Sequence, residues 1–197
     1  MSYIGILVSF TFVHNIVLDL LMGEKSFLTL ASSRKIIFVY GGVLSCGAAL
    51  SSLTAWALYH GILLPLGVPY LQTLIFILTI TGLGIIAGLL LDHLCPAFYA
   101  KVRDYLPLAA TNCTVLGVSL VSVRRGYTVT ESLTAGLCAG AGYFLAAFLL
   151  LTLKESMKNE WLPRPFRGVP ITLISAGLMA LAFMAFDDVL LKNLVTG

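Results

Sequence analysis

The sequence is poor in charged residues. Only 11% of its 197 residues are Asp, Glu, Lys or Arg, and 59% are hydrophobic, whereas soluble domains average about 25% charged residues. The mean hydropathy is +0.99. This composition excludes an ordinary soluble protein and indicates a chain that folds in lipid. The net charge of +3 is small and dispersed, so we expect no nucleic-acid partner.

The chain also lacks a hydrophilic segment long enough to fold as a catalytic domain. A flavin, nucleotide or haem domain would therefore have to come from another chain. No basic residue precedes Lys25, so the first apolar segment is interpreted as a retained span and not as a signal peptide. A spanning helix needs about 20 apolar residues. Six segments meet this length, at about 3–22, 36–59, 70–91, 106–123, 132–153 and 169–192. The sequence predicts an all-α, polytopic membrane protein.

Basic residues are unevenly distributed between the loops. Nine of the twelve lie in the first, third and fifth loops: Lys25, Arg34, Lys35, Lys101, Arg103, Lys154, Lys158, Arg164 and Arg167. The other side carries Arg124, Arg125 and Lys192. Because positive charge accumulates in cytoplasmic loops, the odd loops are predicted to be cytoplasmic and both termini to lie outside.

Two pairs of glycines have the spacing that brings membrane helices close together. Gly84 and Gly88 form one GxxxG pair, and Gly136 and Gly140 form the other. Lipid gives helices no hydrophobic reason to associate, so small residues at their contacts permit close packing. We predict that both pairs pack inside the chain.

The four cysteines form neither a CxxC pair nor a Cys/His cluster, so the chain alone cannot enclose a tetrahedral metal site. Cys46 and Cys138, among small residues, are predicted to lie in the core, where free cysteines usually pack. Cys95 precedes Pro96 and is predicted to lie at a helix end. Cys113 differs, because it follows Asn112 inside an apolar span.

Polar side chains inside two spans are the candidates for function. An amide in hydrocarbon must find a partner, so Asn112 either forms an interhelical hydrogen bond or belongs to a functional helix break that contains Cys113. Asn15 similarly precedes a Val-Leu pair in the first span. Two inverted repeats, 1–98 and 99–197, would place discontinuous first and fourth helices together near the midplane. His14, Asn15 and Asp19 are candidates for an ion path, although His14 could instead be structural and Asp19 solvated at the interface.

Two long motifs carry a resemblance to a known family. They read "YLPLAATNCTVLGVSL" and "PRPFRGVPITLISAGLMALAFMAF", accompanied by "VHNIVL", "LPLGVPYLQTLIFILTI" and "LKE" in matching order. Over essentially its whole length the chain resembles the RnfA/NqrE family of membrane subunits of ion-translocating electron-transport complexes, and it is more similar to the RnfA branch.

The resemblance implies a six-helix subunit, multi-pass in the bacterial inner membrane, paired with a homologous RnfE-like sister of opposite orientation. In the family each sister gives two cysteines, and together they enclose a [2Fe-2S] cluster; Cys113 matches the second of these, with Asn112 as its neighbour. Electrons would pass between ferredoxin and NAD, coupled to Na+ or H+ transport. FMN and further iron–sulfur centres would lie on the other subunits, B, C, D and G.

The chain departs from the family at the first cysteine. Family members have "LGxCPF" or "LGxCxF" where this sequence reads "MGEKSF", so Lys25 occupies the ligand position. Lysine is not an ordinary iron–sulfur ligand, and we predict a three-thiolate cluster or none.

Three functions are therefore open at this stage. The chain is an electron-transfer subunit of an Rnf-type complex; or a scaffold or ion-path subunit of such a complex, or of the related Na+-translocating NADH:quinone reductase, without a complete cluster; or a stand-alone transporter.

Overall fold

The structure is a computed structural model that describes residues 3–13, 15, 34–157, 163, 166 and 168–195. Every regular element in this part of the chain is helical. The first span begins with α1 (Tyr3–Val8), which continues as a π-helix over Ser9–Val13. The remaining helices are α2 (Arg34–Leu58) with a π-helical extension over Tyr59–Leu63, a 3-10 turn (Pro69–Leu71) leading into α3 (Gln72–Leu94), α4 (Pro96–Val102), α5 (Leu106–Ala110), α6 (Cys113–Arg124), α7 (Val129–Met157) and α8 (Val169–Val195).

These helices confirm an all-α polytopic membrane protein. Four segments of the described chain are long and apolar enough to cross a membrane, Arg34–Leu63, Pro69–Leu94, Leu106–Arg124 and Val129–Met157, and a shorter apolar segment covers Val169–Phe183. They coincide with the second to sixth predicted spans. The predicted first span, 3–22, is described only through residue 13 and at Asn15.

The centre of the fold is the antiparallel pair of α2 and α7, which pack more extensively than any other two described helices. Gly136 has no room for a side chain, since a Cβ there would lie 2.6 Å from the Ala48 carbonyl oxygen and 2.6 Å from the Ala49 Cα. A Cβ on Gly140 would meet Ser45 in the same way. The prediction that this glycine pair packs inside the chain is confirmed.

The other glycine pair brings α3 against α5. A Cβ on Gly84 would collide with the Ala110 Cβ, and one on Gly88 would lie 3.6 Å from the Leu106 side chain. This pair too packs inside the chain, as predicted. Elsewhere α3 is largely exposed, and only Phe76 and Ile80 are buried among its residues.

Contacts at the two ends of the bundle connect segments that are distant in sequence. At one end the Tyr3 hydroxyl lies 3.2 Å from the Thr130 hydroxyl, which brings the start of α1 beside the start of α7. At the other end Arg34 forms an ion pair with Glu155 at 2.9 Å. The start of α2 and the end of α7 therefore share one side, as the predicted topology requires of the first and fifth loops.

The connection between α6 and α7 is short and well specified by its sequence. Gly126 has a φ of +64°, and the Tyr127 N–H donates to the Ser122 carbonyl at 3.0 Å, which is a Schellman end to α6. Thr128 and Glu131 then form a capping box at the start of α7, with the Thr128 N–H 2.9 Å from the Glu131 carboxylate. Trp56 of α2 fixes this turn by donating its indole N–H to the Tyr127 carbonyl at 2.8 Å.

Candidate functional site

The fourth span is interrupted, as the sequence predicted. Pro107 lies in the first turn of α5, which ends at Ala110. Asn112 adopts an extended conformation with ψ of 123°, and α6 begins at the next residue. A break of this kind frees backbone groups that lipid cannot satisfy. The side chain of Asn112 satisfies one of them.

Asn112 uses both ends of its amide. Its oxygen accepts from the Thr114 N–H at 2.9 Å, which caps α6, and its nitrogen donates to the Tyr40 hydroxyl of α2 at 2.9 Å. The residue is 4% exposed. The interhelical hydrogen bond and the helix break therefore occur at the same residue, and a function for the break stays a prediction.

Cys113 is the first residue of α6, and its side chain is exposed on the surface of the chain. The first turn of a helix presents N–H groups that have no partner within the helix. An exposed thiol at this position is accessible to a group held jointly with another chain.

Asn15 follows the π-helix of the first span and is 2% exposed. Its amide nitrogen donates to the Gly142 carbonyl at 2.8 Å and to the Thr11 carbonyl at 3.2 Å. Gly142 permits this approach, since a Cβ there would lie 2.7 Å from the Phe10 carbonyl oxygen. Gly142 adjoins the middle residue of α7, so Asn15 contacts α7 near the centre of its length.

The other predicted site residues are distributed differently. His14, Asp19 and Lys25 lie outside the described residues. Among the residues that are described, no three His, Cys, Asp or Glu side chains come close enough to hold a metal ion. Within this part of the chain no complete metal site is present, so a cluster would need ligands from elsewhere, and the role of Cys113 as a ligand stays a prediction.

The predictions for the remaining cysteines met different outcomes. Cys95 caps the end of α3 and is exposed, as expected of a boundary residue. The prediction that Cys46 lies in the core is wrong, because it is exposed and lines an apolar groove of about 470 Å³ between α2 and α3. Cys138 is partly buried and packs against the core. The error at Cys46 arises because small neighbours are equally suited to a tight contact and to an open groove.

Sequence analysis missed the aromatic residues beside the break. Tyr40 and Tyr143 are 0% and 1% exposed, and their ring centroids lie 5.4 Å apart between α2 and α7. A phenol inside an apolar helix and beside glycines was an available signal, since a buried tyrosine hydroxyl usually finds a partner.

Comparison with known proteins agrees with this architecture. Residues 3–190 match the family described as Rnf-Nqr subunit, membrane protein. The chain belongs to the Rnf-Nqr family of membrane subunits.

Individual proteins are also similar to this chain over nearly its whole length. The chain is 35% identical over 187 residues to the A subunit of the Na+-translocating ferredoxin:NAD+ oxidoreductase complex of Acetobacterium woodii, covering 95% of this chain and 97% of the relative. It is 37% identical over 185 residues to the A subunit of the ion-translocating oxidoreductase complex of Serratia proteamaculans, covering 94% and 96%. The corresponding protein of Aeromonas salmonicida is 34% identical over 189 residues, covering 96% and 98%.

Proposed function

We propose that this chain is the A-type membrane subunit of an Rnf-type complex that couples electron transfer between ferredoxin and NAD to Na+ or H+ translocation. The observation that carries the proposal is the match to the A subunits of such complexes over at least 94% of both chains. The interrupted span with Asn112 and Cys113 at its break supports it, because discontinuous helices form the sites of membrane transporters.

The subunit is not catalytic alone. The predicted spans occupy most of the chain, and the described helices offer no soluble domain for a nicotinamide or flavin. Electrons would enter and leave through partner subunits that carry FMN and iron–sulfur centres. An RnfE-like sister is proposed as the neighbour in the membrane, with subunits B, C, D and G completing the assembly in the bacterial inner membrane.

Cys113 is the proposed ligand that this chain contributes to a [2Fe-2S] cluster shared with the sister. Its exposure and its place at the start of α6 suit a thiolate that faces another chain. The cluster would supply a one-electron relay inside the membrane. Asn112 caps the helix that bears the thiol.

A second candidate function is favoured by Lys25. Where the family has its first-half cysteine this chain has an ammonium group, which is not an ordinary iron–sulfur ligand. The subunit would then be a scaffold or ion-path component with an incomplete cluster or none, and Asn15, His14 and Asp19 would be the polar residues on its path.

Purification of the whole complex with its iron content and electron paramagnetic resonance (EPR) spectrum tests both candidates. We expect the chain to co-purify with flavoprotein and ferredoxin-like partners and with a homologous membrane subunit. Robust ion transport by the isolated chain in liposomes would contradict the proposal and favour a stand-alone transporter.

Two substitutions then distinguish electron transfer from scaffolding. Cys113→Ser is expected to remove the intramembrane signal, because a hydroxyl is a poorer iron ligand than a thiolate, whereas Cys95→Ser should leave it unchanged. Lys25→Cys is expected to increase iron occupancy. A complete [2Fe-2S] signal that survives Cys113→Ser would refute the proposed role of this cysteine.

A further inference from the structure

The side chain of Tyr40, which lies on α2, contacts the break between α5 and α6. The Tyr40 hydroxyl accepts the amide proton of Asn112 at 2.9 Å and donates a longer hydrogen bond to the Leu108 carbonyl at 3.4 Å. Leu108 belongs to α5, and Asn112 is the cap of α6. A single hydroxyl therefore contacts both sides of the break.

The backbone explains why this hydroxyl is needed. In a continuous helix the Leu108 carbonyl would accept the N–H of residue 112. Here that N–H donates to Ala109 at 3.2 Å, and the Thr111 N–H donates to Pro107 at 3.1 Å. The Leu108 carbonyl thus loses its regular backbone partner at the interruption. Its partners are instead two hydroxyls, that of Tyr40 at 3.4 Å and that of Thr111 in the same turn at 3.5 Å.

Tyr40 is well suited to hold a fixed position. It is fully buried, and its ring packs against Tyr143 at 5.4 Å and against Tyr105 at 6.3 Å between centroids. It lies on α2, the helix most firmly packed into the described core, beside the close contact of Gly41 with Phe144. The hydroxyl therefore has little freedom to follow a movement of the break.

We propose that Tyr40 and Asn112 are positioning residues for Cys113. The inference rests on the proposed function only in giving Cys113 a role, because the contacts themselves do not involve a cluster. Asn112 determines where α6 begins, and Tyr40 determines where Asn112 lies. Together they fix the direction in which the thiol leaves the first turn of α6.

A contact on the other half of the chain also connects a span to a distant helix through an asparagine. Asn15 of the first span donates to Gly142 of α7, and the residue after Gly142 is Tyr143, the ring that packs on Tyr40. Asn112 of the fourth span bonds to α2, and Asn15 of the first span bonds to α7. The first span is thus connected to α7 and the fourth span to α2, and Tyr40 and Tyr143 contact each other between these connections.

A nitroxide spin label on Cys113 tests the proposal directly. The full chain, with Cys46, Cys95 and Cys138 replaced by alanine, is labelled and its EPR spectrum is separated into immobile and mobile components. Loss of one hydrogen bond corresponds to about a fivefold change in a local equilibrium. Tyr40→Phe removes the hydrogen bonds to Asn112 and to Leu108, and it is therefore expected to raise the ratio of mobile to immobile label at least about fivefold.

Matched control variants distinguish a specific effect on the position of Cys113 from a general loss of packing. Tyr59→Phe removes the same atom from the far end of the same helical segment, about 28 Å away along its axis, and should leave the spectrum unchanged. A label at Cys95, in a chain that keeps only that cysteine, should not respond to Tyr40→Phe. A change that appears equally at Cys95 would overturn the proposal.

The second variant is Asn112→Ser, which keeps a good cap for α6 but cannot donate to Tyr40 as the longer amide does. It should produce most of the effect of Tyr40→Phe, and the double variant should not exceed Tyr40→Phe, because the hydrogen bond that Asn112→Ser removes is one of the two that Tyr40→Phe removes. Additive effects would refute the pairing, as would a lower melting temperature with an unchanged Cys113 spectrum. Iron loss in Cys113→Ser is a separate result and tests only the proposed function.

Discussion

The close contact between α2 and α7 predicts that a larger residue at Gly136 destabilises the folded chain. Gly136→Ala would place a methyl group 2.6 Å from the Ala48 carbonyl oxygen and 2.7 Å from the Ala49 nitrogen, whereas unstrained non-bonded carbons lie about 3.5–4.0 Å apart. The obstructing atoms belong to the backbone and cannot rotate away. The two helices must therefore separate at the centre of the fold.

The size of the effect follows from two opposing contributions. Overpacking a close contact costs about 1–3 kcal/mol, and removing a glycine from a helix interior contributes about 0.5–1 kcal/mol of stability. The expected net loss is about 1–2 kcal/mol, which for a chain of this size lowers the melting temperature by about 2–8 °C.

Gly47→Ala is the matched control, since Gly47 lies on α2 and a Cβ there would meet nothing within 4 Å. It carries the same helix-forming gain without the steric cost, so it should be neutral or slightly stabilising. Both variants are compared with the native chain by thermal unfolding in one detergent. Equal melting temperatures for the two variants would refute the assigned α2–α7 packing.

Two further predictions concern the ends of the helices. A periplasmic reporter fused after Gly197 should be active and a cytoplasmic one silent, because nine of the twelve basic residues lie in the odd loops; a cytoplasmic C-terminus would contradict the predicted six spans. Trp56→Phe should destabilise the chain by about 1 kcal/mol by leaving the Tyr127 carbonyl, which now accepts at 2.8 Å, without the indole donor. Thermal unfolding measures this loss, and an unchanged melting temperature would show that the α6–α7 turn does not depend on the indole.

Sequence reasoning predicted the features that depend on local chemistry. Runs of apolar residues indicated the spans, and Pro107 and Asn112 indicated a break because proline lacks a backbone donor and an amide in lipid needs a partner. The GxxxG spacing predicted both close contacts correctly. These signals are all contained within one helical segment.

The features that escaped prediction depend on which helices are neighbours. Tyr40 lies 72 residues from Asn112, and nothing in either segment specifies the other as its partner. Cys46 was misjudged for the same reason, since whether a small residue faces a helix or a groove is decided by the position of α3. Tertiary packing, and not local pattern, determines both outcomes.

The hydrogen bonds of Asn112 and Asn15 also bear on how polar residues persist within membrane spans. Lipid supplies no donor or acceptor, so each freed polar group needs a partner within the protein. Asn112 accepts from Thr114 of its own half and donates to Tyr40 of the other half. Asn15 donates to Thr11 of its own half and to Gly142 of the other half. The amides of both spans are therefore satisfied partly locally and partly by a helix of the opposite half, so packing between the halves contributes to keeping these polar groups tolerable in lipid.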